Sequence, residues 1–293
     1  MASDPPARRL ALAWSLVFLG LCMASSRAHG DCGVPDGLHQ ELQSGQLMLM
    51  GEMHGTKESP QAFGAAVCHA LEHGREVSVG LELNPDQAGP LAHFLASDGG
   101  AAAAERLLQT RFWSGPLHDG RSSLAMFALI ERLRQWKQRY AALAVFVLDG
   151  LPGVAGVSRD EQMAQRVRAE RVRRPQGIVL TLTGNAHNRL KPLGFAIQGR
   201  TIHAPMGVWL ADLSPASVTL ATAGGSAWMC APACGVQVLE AAHDAAQEMA
   251  PAYRSLPASG AYTGQWSLGV STASLPARGA PDPHATSSTL MLP

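Results

Sequence analysis

The sequence predicts an α/β fold, a layered arrangement with a mainly parallel central sheet and helices on both faces. Short apolar stretches alternate with helical patterns from residue 47 to residue 183, and polar residues end four successive stretches. Strands that alternate with helices pair in parallel through right-handed crossovers, so their C-terminal ends meet at one edge of the sheet. Open α/β sheets hold ligands at that edge, which is therefore the predicted location of a site.

The first strand is predicted at residues 47–51 and runs into a Gly-Glu-Met-His turn at residues 51–54. Ser59 and Pro60 follow as the N-cap and first-turn proline of a helix. Gly74 stands where that helix is expected to end, because glycine readily adopts the conformation of a helix C-terminal cap.

The second strand is predicted at residues 77–83, and Asn84-Pro85 after it repeats the helix start signal. Two further helices are predicted at residues 101–112 and 122–140. The second of these has apolar residues at helical spacing, and those expected to be buried are Leu124, Phe127, Ile130, Leu133 and Trp136.

The third strand, at residues 143–148, closes on Asp149 and a glycine-rich loop. Ser158 and Glu161 form a capping box that opens a charged helix. The fourth strand, at residues 178–183, delivers a second Gly-x-x-His turn at residues 184–187.

Beyond the fourth strand the pattern is weaker. Short strands are predicted near residue 195 and at residues 207–211 and 218–221, and a helix is predicted at residues 238–249. These elements are expected to extend the sheet. Residues 275–293 are rich in Pro, Ala, Ser and Thr without periodicity, which predicts a disordered tail after a single domain at residues 29–274.

Residues 1–28 are interpreted as a cleaved export signal, with two early arginines, an apolar run and small residues before the cleavage point. The apolar run of about fourteen residues is shorter than the roughly twenty that span a bilayer, so the alternative of a membrane anchor is not favoured. Leu21 before Cys22 does not suit a lipoprotein acceptor. The mature protein is expected in the periplasm or outside the cell, without a stable membrane anchor.

The charge balance excludes one class of partner. Basic and acidic residues number 23 each, and removal of the signal leaves a slight acidic excess. Without a basic patch, the sequence does not support nucleic-acid binding through phosphate contacts.

Four cysteines remain after the signal, and an even number in an oxidising compartment predicts disulfides. Three pairings are possible. Closeness in sequence favours Cys230 with Cys234 and, by elimination, Cys32 with Cys68. The alternative of zinc at Cys230 and Cys234 lacks an adjacent His or Cys pair to complete a tetrahedral set.

The pattern Leu-x-Leu-x-Gly-x-x-His occurs twice, at residues 47–54 and 180–187, and predicts two histidine turns that face a single site. His54, beside Glu52, can act as a general base or a metal ligand. His187 repeats the arrangement. Glu82 ends an otherwise apolar strand, where a carboxylate is costly to bury unless it is paired or bound to a cation. The alternatives are loop histidines held by ordinary hydrogen bonds and a Glu82 exposed at the sheet edge.

Four stretches, GEMHGTKESP, GLELNPDQ, RDEQMAQRV and LTLTGNAHNRL, resemble the superfamily of erythromycin esterase-like proteins, ChaN-type haem-binding proteins and Tiki/TraB metalloproteases. The resemblance spans about residues 47–190 and implies an α/β sheet layered by helices. It also implies that Glu52, His54, Glu82 and His187 fall at the active or metal-binding positions of the family. The spacing from Glu52 to His54 is one residue shorter than in the esterase pattern.

The resemblance implies three different activities. Tiki-like members are linked to metal-dependent peptide cleavage, esterase-like members to histidine-assisted attack of water on a lactone, and ChaN-like members to haem. Arg159 is expected to bind an anionic group of the substrate, and Arg121 and Asn185 are further predicted substrate-binding residues. Helix capping is the simpler explanation for the residues around Arg121 and Arg159.

The resulting prediction is an exported hydrolase in which His54 and Glu52 activate water on an ester or peptide-type bond of a small-molecule or peptide substrate. Glu82 and His187 complete the site, and a divalent metal ion at His54, Glu82 and His187 is predicted to assist by acidifying the water. The alternative is a periplasmic protein that binds haem noncovalently, or an iron compound, without catalysis. A third possibility is a degenerate member kept for protein contacts.

Overall fold

The computed structural model describes residues 32–116, 118–151, 153, 156–194, 196–197, 200–201, 204–230, 233–240 and 249–279. Its strands are β1 (Leu47–Glu52), β2 (Val77–Leu81), β3 (Leu143–Val147), β4 (Ile178–Gly184), β5 (Ala196–Ile197), β6 (Arg200–Thr201), β7 (Ala216–Ala221), β8 (Gly225–Cys230), β9 (Cys234–Leu239), β10 (Ala252–Ser255) and β11 (Gly264–Ser267). Its helices are α1 (Leu38–Glu41), α2 (Glu58–Glu72), α3 (Ala88–Ala96), α4 (Ala101–Leu108), α5 (Arg111–Ser114), α6 (Leu124–Arg139), α7 (Arg159–Arg173) and α8 (Met206–Trp209), with short 3-10 helices at Pro85–Gln87 and Ala211–Leu213.

Seven strands form one sheet in the order β10-β11-β7-β1-β4-β2-β3. All neighbouring pairs are parallel except β10 with β11. The predicted α/β class with a mainly parallel sheet is therefore confirmed. The four strands predicted first, β1 to β4, are adjacent in this sheet, so their C-terminal ends share one edge.

The sheet lies between two apolar layers. The larger layer packs α2, α3, α4 and α6 against one face, and the smaller packs α7 and α8 against the other. β1, β2 and β4 are buried along their whole length, as expected for mainly apolar strands covered on both faces. β3, at the edge of the sheet, is half-buried over four of its five residues.

Several predicted helices are confirmed with shifted ends. α2 begins at Glu58, one residue before the predicted cap, because the Ser59 hydroxyl instead accepts a hydrogen bond from the Thr56 hydroxyl. The predicted helix at residues 101–112 is divided into α4 and α5. Leu124, predicted to be buried, is 51% exposed as the first residue of α6, where Ser123 provides the cap.

The C-terminal predictions are confirmed only in part. Residues 218–221 lie in β7, as predicted, but residues 207–211 do not form a strand, because α8 turns there and the Met206 amide donates to Asp160. Val238 does not begin a helix, because β9 pairs with β8 as a hairpin. Residue 195, residues 241–248 and the predicted signal at residues 1–28 lie outside the described part of the chain.

The first residues of the predicted tail are bound to the domain. The Leu124 amide donates to the Leu275 carbonyl, and the Ala277 amide donates to the Ser122 carbonyl. The folded part therefore extends at least to Gly279, and residues 280–293 lie outside the described ranges.

Both predicted disulfides are present, Cys32 with Cys68 and Cys230 with Cys234. The first ties the chain before α1 to α2, and the second joins β8 to β9. Among the helices of the described ranges, none is long and apolar enough to cross a membrane.

Candidate active site

The first Gly-x-x-His turn follows β1 and presents one histidine between two carboxylates. His54 Nδ1 lies 2.8 Å from Glu52 Oε1, and His54 Nε2 lies 3.5 Å from Glu82 Oε2. The His54 side chain is 22% exposed, whereas those of Glu52 and Glu82 are 3% and 4% exposed. His54 is therefore the member of this trio that solvent or a substrate can reach.

The two carboxylates keep His54 charged near neutral pH. Burial alone lowers the pKa of His54, but the negative charge of Glu82 and the hydrogen bonds to Glu52 and Glu82 outweigh it and raise the pKa to about 10. Burial also raises the pKa of Glu52, against the opposing influence of His54. The resting arrangement is an imidazolium ion held between two acids.

Glu82 lies at the centre of the cluster, beyond the end of β2. One of its oxygens accepts from the Gly184 amide at 2.7 Å, and the other accepts from Arg159 Nη2 at 2.7 Å. Burial alone raises the pKa of Glu82, but the positive charges of His54 and Arg159 hold it well below its ordinary value. Glu82 is thus buried and paired, so the alternative interpretation, a Glu82 exposed at the sheet edge, is wrong.

The second Gly-x-x-His turn, after β4, places its histidine in a closed environment. His187 Nδ1 lies 2.7 Å from Asp160 Oδ1, and His187 Nε2 lies 3.0 Å from Arg159 Nη1. Because a guanidinium group can only donate, Nε2 accepts, and the ring proton is on Nδ1 and is donated to Asp160. His187 is therefore a neutral, buried link between Asp160 and Arg159.

The two arginines of the site share a third carboxylate. Arg159 Nε lies 2.5 Å from Asp149 Oδ1, and Arg121 Nη1 lies 2.7 Å from Asp149 Oδ2. Arg121 Nη2 also pairs with Asp119 at 2.6 Å. Both guanidinium groups are thus paired with the protein's own acids, and the binding of an anionic substrate group by Arg159 stays a prediction.

Asn185 is placed beside the charged cluster, not within it. Its Oδ1 accepts from the Thr219 hydroxyl on β7 at 2.9 Å, and its carbonyl accepts from the Tyr262 hydroxyl at 3.0 Å. The structure brings Glu52, His54, Glu82 and His187 together with Arg121 and Arg159 in one network, and it leaves Asn185 at the border of that network.

The two turns interlock through their glycines, because Glu52 of β1 pairs in register with Gly184 of β4. A Cβ atom on Gly51 would lie 2.2 Å from Asn188 Oδ1, and one on Gly184 would lie 2.9 Å from His54 Nε2. Each glycine therefore makes room for a side chain of the other turn.

Three residues of this region were not predicted as site residues. Asp149 was recognised as the polar end of the third predicted strand, and that position at the shared edge of the sheet is the sequence signal that could have placed it in the site. Asp119, two residues before Arg121, pairs with it locally. Asn188, which lies over Gly51, has no sequence signal of its own.

The arrangement does not fit the predicted divalent metal at His54, Glu82 and His187. A guanidinium nitrogen of Arg159 lies 2.7 Å from Glu82, and a second one lies 3.0 Å from His187 Nε2, so a cationic side chain already fills the space between them. Within the described ranges, no group of three or more His, Cys, Asp or Glu side chains is arranged to hold a metal ion. The haem alternative stays a prediction.

No protein-family model and no curated protein matches the chain. Among solved structures, it is similar to a succinoglycan biosynthesis protein, with a TM-score of 0.57 and 9% identity over 82% of this chain and 91% of that chain. An erythromycin esterase in its open conformation gives a TM-score of 0.48 and 13% identity over 80% of this chain and 78% of that chain. The likeness to the succinoglycan biosynthesis protein concerns the fold alone.

Proposed function

We propose that the protein is an exported hydrolase that cleaves an ester or peptide-type bond in a small-molecule or peptide substrate, with His54 as the residue that transfers protons. One observation carries the proposal. The His54 ring is joined through Nδ1 to the buried carboxylate of Glu52, and it is partly exposed at the C-terminal edge of the sheet. A histidine oriented by a carboxylate is a common general base in hydrolysis.

In the proposed reaction, His54 Nε2 removes a proton from water as the water oxygen attacks the carbonyl carbon. The resulting imidazolium then gives the proton to the leaving oxygen or nitrogen as its bond to that carbon breaks. Glu52 holds the ring in orientation through Nδ1. The neighbouring Glu82 stabilises the imidazolium and thereby raises the pKa of His54 to about 10.

Arg121 and Arg159 are proposed to stabilise the oxyanion that forms on the carbonyl oxygen. Each guanidinium has five N–H donors, and the hydrogen bonds to Asp149, Asp119, Glu82 and His187 use only part of each set. Donors held in place before the reaction stabilise developing negative charge effectively. The role of Asp149 in this scheme is to hold both arginines in position.

His187 has a different role in the proposed function from the one predicted for it. Its Nε2 lone pair already accepts a hydrogen bond from Arg159, so it is not free to take a proton from water. Asp160 and His187 therefore act as positioning residues for Arg159. Export is supported by the two disulfides, which are typical of proteins in the periplasm or outside the cell.

The proposal is tested with the purified full chain and two probes, para-nitrophenyl acetate for ester cleavage and fluorescein-labelled casein for peptide cleavage. Replacing His54 by Ala is expected to reduce turnover of the cleaved probe by about 10²-fold to 10⁴-fold. His93→Ala is the matched control, since His93 is an exposed histidine on α3.

Turnover by the native chain is also expected to rise with pH until His54 has lost its proton near pH 10, because only the neutral imidazole accepts a proton. No turnover of either probe by the native chain, or full turnover by His54→Ala, contradicts the proposal. If turnover instead falls as the pH rises toward 10, the protonated form of His54 is the active one, and His54 acts as a general acid and not as a general base.

A further inference from the structure

The sheet has a free edge at β3, on the side away from β10. Among the described residues β3 pairs only with β2, and it is the last strand of the seven. Val145, Phe146 and Val147 are half-buried there, whereas every residue of β2 and β4 is buried. An edge strand with apolar, partly exposed side chains is a template for pairing with another strand.

The direction of the backbone groups shows what this edge offers. The Ala142 carbonyl accepts from Val77, and the Leu148 amide donates to Leu81, so the even-numbered residues face β2. The backbone groups of successive residues in a strand point to alternate sides within the plane of the sheet. The amides and carbonyls of Val145 and Val147 therefore point away from β2, toward the open side of the edge strand. The Leu143 carbonyl is already taken by the Lys137 ammonium group.

A groove runs along this edge between helices on the two faces of the sheet. It contains a cavity of about 300 Å³, with Leu91 of α3 on one wall and Arg166, Glu170 and Arg173 of α7 on the other. The exposed Arg173 lies 3.2 Å from the buried Glu170 carboxylate, which Arg174 also contacts. The Val145 and Val147 side chains pack toward the larger apolar layer, which includes Leu91. The groove therefore has one apolar wall and one charged wall, on which two arginines outnumber one buried glutamate, and the free edge of β3 separates the two walls.

We propose that this groove binds an extended acidic peptide, which adds to the sheet as a further strand along β3. The side chains of an extended strand alternate between the two faces of the sheet. A peptide of alternating apolar and acidic residues would direct its apolar side chains to the wall of Leu91 and its carboxylates to Arg166 and Arg173. Main-chain hydrogen bonds to Val145 and Val147 give affinity, and the two walls give specificity.

The charge of α7 favours a peptide over a second copy of the chain. α7 has five arginines, and the Arg173 side chain is 71% exposed. Pairing of β3 with β3 of a second copy around a twofold axis would bring the two α7 helices side by side on one face of the joined sheet. Their exposed arginines would then repel, whereas a single acidic strand is attracted.

The test uses the full chain and two fluorescein-labelled peptides, VEVEVEV and VKVKVKV, with binding followed by fluorescence anisotropy. VEVEVEV is expected to bind, and VKVKVKV is expected to bind at least about tenfold more weakly, because its charges face arginines. Hydrogen exchange of the Val145 and Val147 amides is expected to slow when VEVEVEV is added, which is a signature of strand addition.

Two variants, each with a matched control, test separately the arginines of α7 and the free backbone amides of β3. Arg173→Glu is expected to weaken VEVEVEV binding by about tenfold, as expected for loss of a hydrogen bond to a charged group. Arg168→Glu is the control, because Arg168 lies on the same helix and is likewise ion-paired, with Asp212, but does not line the groove. Val145→Pro, which removes an outward amide, is expected to weaken binding at least about fivefold. Ser255→Pro at the opposite edge of the sheet is its control.

Three outcomes overturn the proposal. Equal binding of the two peptides contradicts the charge argument, and binding of neither peptide contradicts the groove itself. Self-association of the native chain that Val145→Pro abolishes, measured by analytical ultracentrifugation, assigns the edge to a second copy. Retained ester turnover in every variant is expected, because none of the substituted residues belongs to the His54 network.

Discussion

At the end of β1, His54 is 22% exposed and lies between Glu52 and Glu82, while at the end of β4 His187 is 8% exposed and lies between Asp160 and Arg159. Both histidines come from the same Leu-x-Leu-x-Gly-x-x-His frame, on adjacent parallel strands. One is an accessible cation and the other is a buried neutral link.

The difference comes from the elements around the turns and not from the turns themselves. The start of α7 supplies Arg159 and Asp160, which occupy both ring nitrogens of His187. No side chain of that helix is bonded to His54, whose partners lie at the ends of β1 and β2. The repeated local motif therefore determines where the two histidines lie. Tertiary contacts determine the hydrogen-bond partners and the charge of each ring.

The largest expected effect comes from making the same change, His to Gln, in each turn. His54→Gln is expected to lower turnover by about 10²-fold to 10⁴-fold, because an amide forms hydrogen bonds but does not transfer protons. His187→Gln is expected to stay within about tenfold of native turnover, since Gln can donate to Asp160 and accept from Arg159. Steady-state rates with para-nitrophenyl acetate measure both. Equal losses would remove the proposed distinction between the turns.

The next effect concerns stability. His187→Ala is expected to lower the free energy of unfolding by about 3 kcal/mol, because it removes a buried partner from both Asp160 and Arg159. His187→Gln is the control, and it is expected to recover most of that loss. Urea unfolding followed by circular dichroism gives the comparison. A His187→Ala protein as stable as the native one would show that the second turn has no structural role.

The pH dependence of stability distinguishes the turns in another way. His54 has a folded-state pKa of about 10, above its ordinary 6.5, so its protonation stabilises the fold fully below pH 6.5 and the contribution disappears as pH rises through about 10. The expected slope is at most about 1.4 kcal/mol per pH unit. His54→Gln is expected to remove this slope, and His187→Gln to keep it. Urea unfolding at pH 7, 8, 9 and 10 checks the prediction, which an unchanged slope in His54→Gln would refute.

The smallest expected effect on kcat/KM comes from a change in the second turn that displaces the histidine of the first turn. Gly184 belongs to the second turn, but a Cβ there would lie 2.9 Å from His54 Nε2 in the first. Gly184→Ala is therefore expected to displace the His54 ring and lower kcat/KM by about tenfold, a cost of about 1.4 kcal/mol. Gly194→Ala, where nothing lies within 4 Å of the added Cβ, is the control. Unchanged kcat/KM in Gly184→Ala would mean that the ring position is not critical.

The arrangement of the first four strands could be predicted from sequence because each strand is a short, mainly apolar stretch followed by a turn signal. The shared edge follows from parallel pairing, and that edge brings Glu52, His54, Glu82 and His187 into one network. Local pattern was sufficient for this part of the fold.

The partners of each side chain could not be predicted in the same way. Asp149 and Arg159 are near in sequence, but the pairing of Arg159 with Glu82 depends on the order of strands in the sheet, which periodicity does not encode. The C-terminal region was also harder, since β11 and β10 join the sheet beside β7, far along the chain from β1. Pairings between distant segments leave little trace in local sequence.

The first turn depends on the last described segment of the chain. The Gly55 carbonyl, next to His54, accepts from the amides of Trp228 and Ser274, and the Lys57 amide donates to the Thr272 carbonyl. A chain is synthesised from its N-terminus, so these contacts form only after about residue 274 has been made. The turn that carries His54 is therefore completed by segments that are synthesised well after it. A chain that stops before residue 272 lacks the backbone hydrogen bonds of Thr272 and Ser274 to this turn.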